Sequence, residues 1–220
     1  MSLACFARRA AGVVKPIVKR SMSTTAVSTD KLVLVAEDSS TGVATVTLNA
    51  PKRLNALTVA MGDEFASAIA ELKANAANVS SVVVTGAGRA FSAGGDVQFL
   101  RDRCNDTPSR NAAIMRDFYD RMLSIRSLPM PTICALNGHA IGAGLAFTLA
   151  ADFRIAAENA QLGVTFTKLG IHPGMGSSHF LPKLIGSYHA GIHFACLIVY
   201  SIRPSQVMSK LHVCCSLARL

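Results

Sequence analysis

No Cys-x-x-Cys pair occurs in this 220-residue chain, although it carries six cysteines, Cys5, Cys104, Cys134, Cys196, Cys214 and Cys215. Their scatter fits neither a zinc site nor a small disulfide-stapled framework, so they read as reduced thiols. No Gly-Lys-Ser or Gly-Lys-Thr is present, which excludes a P-loop. Acidic residues are missing from residues 1–29 and again from residues 187–220. Convincing membrane spans, which need about 20 apolar residues, are also lacking. The uncharged stretch from Thr132 to Ala151 is interrupted by Asn137, Gly138 and His139, whose turn chemistry favours a buried strand, turn and helix. The uncharged start of the tail contains Ser187, Tyr188, His189 and His193 and makes a poor span.

What is present suits one ordinary domain with a substantial core, since 50% of the residues are hydrophobic. The formal charge of +9 has the look of a nucleic-acid signal until its position is considered. Arg8, Arg9, Lys15, Lys19 and Arg20 lie in residues 1–29; without them 17 basic residues face 13 acidic ones, a net of +4. No nucleic-acid partner is therefore expected. The leader is rich in Ser and Thr. On a helical wheel Phe6, Ala10, Val13 and Ile17 share one face, with Arg8, Lys15 and Lys19 roughly opposite. Residues 1–29 thus read as an organelle-import peptide with the mitochondrial matrix as destination, despite Pro16; the alternative is a basic arm that is never cleaved.

Along the chain, KLVLVAE and GVATVTLNA read as strands joined by a turn over Asp38 to Gly42. Thr58 caps a helix running to about Ala76, with Met61, Phe65, Ile69 and Leu72 at helical spacing. A short buried strand, SVVV, enters a glycine-rich loop, and helices follow near Val97 to Arg103 and Pro108 to Arg126. The theme then repeats as the PTICAL strand, the NGHAIGAG turn, the LAFTLAA helix and the FRIAA strand. Strands alternating with helices, with glycine turns at strand ends, define an α/β domain whose ligands sit near those turns.

The glycine loop GAGRAFSAGGD admits two uses, a phosphate cradle or a display of backbone N–H groups. A dinucleotide-binding turn needs a third glycine where Phe91 stands. That argues against a nucleotide-binding oxidoreductase. A plain strand-to-loop turn accounts for Gly86 and Gly88 but leaves Gly94 and Gly95 unexplained.

Four ordered motifs, PKRLNAL, GRAFSAGGDV, PTICALNGHAIGAGLAFTLAADFRIA and LGIHPGMGSSHFLPKLIG, together resemble the crotonase superfamily, the enoyl-CoA hydratase/isomerase family, from about residue 31 to Gly186. The resemblance implies a repeated ββα spiral core over residues 30–186 and an acyl-CoA substrate. Coenzyme A then enters as part of the substrate rather than as a separate cofactor, and no metal is implied. It further implies that the backbone N–H groups of Gly95 and Ala143 form an oxyanion hole for a thioester carbonyl, which would answer the question posed by the glycine loop. Preorganised donors suit developing enolate charge. Lys52, Arg53 and Leu54 match the family loop that meets the adenine and phosphate end of coenzyme A, with Ala93, Asp96 and Val97 beside the oxyanion turn. A solvated pair is the plain alternative for Lys52 and Arg53, and a helix cap is the favoured role of Asp96.

The chain also departs from that pattern. Ala146 and Phe166 stand where hydratases of the family carry two glutamates. Neither side chain can move a proton, which disfavours hydration and one-base isomerisation. The alternatives are decarboxylation of a malonyl-type thioester, with His172 as a candidate proton donor, and acyl-CoA binding without catalysis. His139 reads as a backbone-bonding loop residue and Asp152 as a turn-fixing one. From Ser187 the expected acid-bearing helices give way to an atypical tail, residues 187–220. This leaves the C-terminal helical part missing or replaced and a family-type trimer or hexamer in doubt.

Overall fold

The computed structural model describes residues 31–196 and 200–201. The leader, residues 1–29, and most of the tail lie outside them.

The first repeat is built as its hydrophobic pattern requires. Strands β1 (Val33–Asp38) and β2 (Val43–Leu48) pair antiparallel through the Asp38–Gly42 turn. Alternation along β2 buries Ala44, Val46 and Leu48. Helix α1 (Val59–Ala74) begins where the Thr58 side chain accepts from the Met61 N–H at 3.1 Å. It buries Met61, Phe65, Ile69 and Leu72, the face read from the sequence. Glu64 of α1 in turn accepts the Leu32 and Val33 N–H groups at 2.8 and 2.9 Å, fixing the start of β1.

From there the chain climbs as a spiral. Each of the next three repeats places one strand in a large sheet and the next in a small one. Strands β3 (Ser81–Gly86), β5 (Thr132–Leu136) and β7 (Phe153–Ala156) extend the first sheet in the order β1-β2-β3-β5-β7. Strands β4 (Ala90–Ser92), β6 (His139–Ile141) and β8 (Gln161–Gly163) run parallel in the second, which closes with the antiparallel β9 (Tyr200–Ser201). Helices α2 (Val97–Asp102) and α3 (Pro108–Leu123) follow β4, and α4 (Ala143–Thr148) follows β6. Two further helices, α5 (Ser177–Ile185) and α6 (Ser187–Cys196), follow β8. The core between the sheets centres on Phe147, whose ring meets Phe65 edge-on at 5.2 Å and stacks on Phe91 at 6.2 Å.

Two features differ from the sequence reading. The NGHAIGAG segment is more than a turn, because His139–Ile141 forms β6 and hydrogen-bonds between β4 and β8. The tail was expected to depart from the fold at Ser187; its described residues Ser187–Cys196 form α6 against α5, with Ala190 and His193 buried. An acid-free helix is stable here because its apolar face finds a partner. Among the described residues no helix is long and apolar enough to cross a membrane. Cys104 and Cys134 are free thiols there, and burial pushes the Cys134 thiol up to about 12.

Candidate active site

The carboxyl ends of β4, β6 and β8 lie side by side, and the loop leaving each contributes to one cavity of about 440 Å³. Parallel strands commonly place ligands at this edge. After β4 come Ala93, Gly94 and Gly95; after β6, Gly142 and Ala143; after β8, Thr165, Phe166 and His172. The opposite wall comes from α2 and α3, through Phe99, Met115, Phe118 and Tyr119.

The first two turns are pressed together by glycine. Gly94 has φ +102°, and a Cβ on it would lie 2.7 Å from the Ile141 carbonyl oxygen and 3.4 Å from the Ala143 nitrogen. A Cβ on Gly144 would lie 2.6 Å from the Ser92 carbonyl oxygen. Only glycine permits both the backbone conformation at Gly94 and this approach. Several backbone amides of these two turns are already paired. The Ala93 N–H donates to the Leu54 carbonyl, the Gly94 N–H to Ser92 Oγ, the Asp96 N–H to the Leu57 carbonyl and the Gly142 N–H to the Gly163 carbonyl. Among the described residues the Gly95 and Ala143 N–H groups meet no acceptor. Both residues line the cavity. Unpaired backbone donors are costly away from water, so two on adjoining turns mark a place built for a ligand's acceptor.

The other residues singled out in the sequence fall as follows. Val97 opens α2 at the cavity wall. Asp96 does not line it; Asp96 Oδ1 accepts from the Phe99 N–H at 2.9 Å and caps α2, while Oδ2 pairs with the guanidinium of Arg53. Lys52 and Arg53 lie exposed on a 3-10 turn that Leu54 ends at φ 51°. The ion pair therefore ties that turn to the residue beside Gly95. Asn55 makes the same tie from inside. It is fully buried, accepts from the Ala50 N–H and donates to the carbonyls of Ala87 and Ala90.

Ala146 is buried in α4 away from the cavity, whereas Phe166 forms part of its wall. No Asp or Glu lines the cavity among the described residues. His139 is turned to the loop, its Nδ1 accepting from the Gln161 N–H at 3.1 Å. Asp152 accepts from the Thr132 N–H and Oγ1, both at 2.8 Å, and so fixes the turn before β7. The α3 wall went unread. Asn111, Met115, Phe118 and Tyr119 recur at helical spacing on one face, a pattern that shows a buried face but not that it covers a cavity. Burial raises the Tyr119 hydroxyl above its ordinary pKa, opposed by a hydrogen bond with the Met175 backbone.

An apolar cavity at the ends of parallel strands, with two free amides on abutting glycine turns, defines an α/β protein with a small-molecule site. Comparison with known proteins narrows this class. The enoyl-CoA hydratase/isomerase family model matches residues 38–207, beyond Gly186 where the motif resemblance stops. The chain belongs to that family. It is 42% identical over 144 residues to a "probable enoyl-CoA hydratase" of Mycobacterium tuberculosis, covering 66% of this chain and 55% of the relative. It is 36% identical over 153 residues to the 1,2-epoxyphenylacetyl-CoA isomerase of Escherichia coli, covering 68% and 57%. The crystal structure of an enoyl-CoA hydratase from Polaromonas sp. JS666 superimposes with a TM-score of 0.71 at 28% identity, over 80% of this chain and 66% of that one. The chain spans little more than half the length of these curated relatives.

Proposed function

We propose that the chain is an acyl-CoA thioester-processing enzyme in which the Gly95 and Ala143 N–H groups hold the thioester oxygen as it gains enolate charge. The observation that carries this reading is the pair of unpartnered amides on adjoining turns at one cavity. Donors fixed before reaction need no reorganisation as charge develops, and losing one typically costs about 2.7–4 kcal/mol of barrier. Arg53 is exposed beside the oxyanion turn and suits a phosphate of coenzyme A, which enters as part of the substrate. The leader's composition supports delivery to the mitochondrial matrix, which fusing residues 1–29 to a fluorescent reporter tests directly.

The type of reaction follows from the wall. With Ala146 buried in α4 and Phe166 on the cavity, no carboxylate among the described residues stands ready to activate water. This favours a substrate that generates its own enolate by losing CO2, a malonyl-type thioester, over hydration of a double bond. Calorimetry with acyl-CoA and mass spectrometry of an acyl-CoA panel test both levels. Absence of affinity at millimolar ligand refutes the thioester reading. Robust crotonyl-CoA hydration, lost when the Gly95 turn is disrupted, refutes the decarboxylation reading.

A further inference from the structure

We propose that Arg103 selects acyl groups that carry a second carboxylate remote from the thioester, so that the ligands of this cavity are coenzyme A thioesters of dicarboxylic acids. The inference rests on the acyl-thioester reading above and is independent of the reaction type.

Arg103 opens the 3-10 turn (Arg103–Asn105) that follows α2, and among the described residues it is the one Arg or Lys that lines the cavity. Its side chain is 22% exposed. The guanidinium lies over the Phe99 ring at 5.4 Å, and Phe99 packs on Phe118 with centroids 5.0 Å apart. Both rings belong to the cavity wall. Arg103 thus reaches back along α2, toward the end that Asp96 caps and Gly95 precedes. A Cβ on Gly95 would lie 3.8 Å from Leu100, itself a wall residue. Leu100 and Arg103 are one turn apart, about 5–6 Å between Cβ atoms. The wall from the Gly95 turn to Arg103 therefore runs past Leu100 over a single turn, a distance suited to a short acyl chain.

A guanidinium set in an apolar wall calls for an anion. The ion pair that Arg103 makes is loose and shared, for Asp106 Oδ2 lies 3.7 Å from Arg103 Nη1 and 3.5 Å from Arg110 Nε. At 3.7 Å the first is not a hydrogen bond. Among the described residues the Arg103 side chain donates no hydrogen bond, and its Nε is enclosed without an acceptor. One carboxylate between two guanidinium groups leaves one positive charge over. Water meets the needs of Arg110, whose side chain is 73% exposed, but much less those of Arg103. Asn111, tethered by its Nδ2 to the Arg103 carbonyl at 2.7 Å, presents an enclosed Oδ1 that carries no net charge and leaves this balance positive. No Asp or Glu lines the cavity among the described residues, and residues 1–29 and 202–220 contain none to bring to it. A planar fork of donors held flat on an aromatic ring matches a carboxylate, which it can bind through two parallel hydrogen bonds.

Calorimetry on the full chain tests this with three six-carbon thioesters, adipyl-CoA, hexanoyl-CoA and 6-aminohexanoyl-CoA. Wild type should bind adipyl-CoA roughly 10-fold to 100-fold more tightly than hexanoyl-CoA, with an advantage that shrinks in high salt, and should bind 6-aminohexanoyl-CoA more weakly than either. Arg103→Gln, its folding checked by thermal melts, should bring the adipyl-CoA and hexanoyl-CoA values together. Arg103→Lys, which keeps the charge but loses the fork, should restore part of the gap. A wild-type protein that binds hexanoyl-CoA as tightly as adipyl-CoA overturns the assignment and leaves the thioester reading standing. A preference for adipyl-CoA that survives Arg103→Gln overturns it too. So does an Arg103→Gln protein that loses affinity equally for both, because Arg103 then serves the phosphates of coenzyme A. The comparisons on wild type decide the matter even where a variant does not fold. A wild-type protein that binds none of the three overturns both this assignment and the reading beneath it.

Discussion

Replacing Gly144 by alanine should separate the two turns on which the site depends. The added Cβ would lie 2.6 Å from the Ser92 carbonyl oxygen, 2.8 Å from Ser92 Cβ and 2.9 Å from Ser92 Oγ. Ordinary contact begins at 3.4 Å, so α4 and β4 must part by the difference, about 0.8 Å. Ser92 cannot simply yield. It is fully buried, its Oγ donates to the Asn55 carbonyl at 2.8 Å, and the same oxygen accepts the Gly94 N–H. Overpacking of this kind costs about 1–3 kcal/mol. In a chain of this length that lowers Tm by roughly 2–12 °C. The larger effect is on chemistry. Gly144 follows Ala143 directly and Ser92 precedes Gly95 by three residues, so the strain falls between the two free amides. Misplacement by about 1 Å costs roughly 100-fold in rate. Acyl-CoA affinity should fall much less, because the amides matter most in the transition state. Turnover of the thioester found by the panel, calorimetric Kd and thermal melts measure all three. Gly191→Ala is the control, since a Cβ there meets nothing within 4 Å. Turnover within twofold of wild type and an unchanged Tm in Gly144→Ala would refute the geometry.

Arg53→Gln should weaken coenzyme A binding about tenfold, roughly 1.4 kcal/mol, with an effect that shrinks in high salt; a salt-independent Kd equal to wild type contradicts the phosphate role. Asn55→Ala strands the Ala50 N–H and the Ala87 and Ala90 carbonyls and should destabilise by about 2–4 kcal/mol in urea denaturation. Peptide mapping after iodoacetamide at pH 8 should find Cys104 alkylated and Cys134 untouched, because Cys134 is buried with its thiol raised to about 12. Because Cys104 lines the cavity, acyl-CoA should slow its alkylation. Burial, reinforced by His189, lowers the His193 pKa below its ordinary 6.5, so the unfolded chain binds the proton more readily. Stability should therefore be full above about pH 6.5 and fall as pH drops through the lowered value, and His193→Gln should flatten that slope in pH-dependent melts.

The long elements were legible in the sequence because their periodicity is local. The six-residue β2 alternates, β3 shows as a run of valines, and α1 shows four buried residues at helical spacing before any partner is known. The second sheet was not legible. Strands β4, β6 and β8 are three residues each, set within glycine-bearing loops, too short to show alternation and held by their neighbours rather than by pattern. The turns bearing Gly95 and Ala143 were found through their glycines and the family resemblance, but nothing local reveals that α3 forms a wall of the same cavity. The helix over Ser187–Cys196 was not legible for a related reason. Its composition is unlike an amphipathic surface helix, yet α6 forms because α5 offers an apolar partner.

The spiral also bears on how such a chain can change its chemistry. Each rung of the small sheet, β4, β6 and β8, delivers its own loop to the same cavity, and successive rungs touch only their neighbours. The first two rungs hold the amides and the third holds Phe166 and His172. The two free amides and the wall of Phe166 and His172 are thus carried on separate steps of one staircase. Substitutions on the third step alter the wall of the cavity while the turns that bear the amides keep strands of their own.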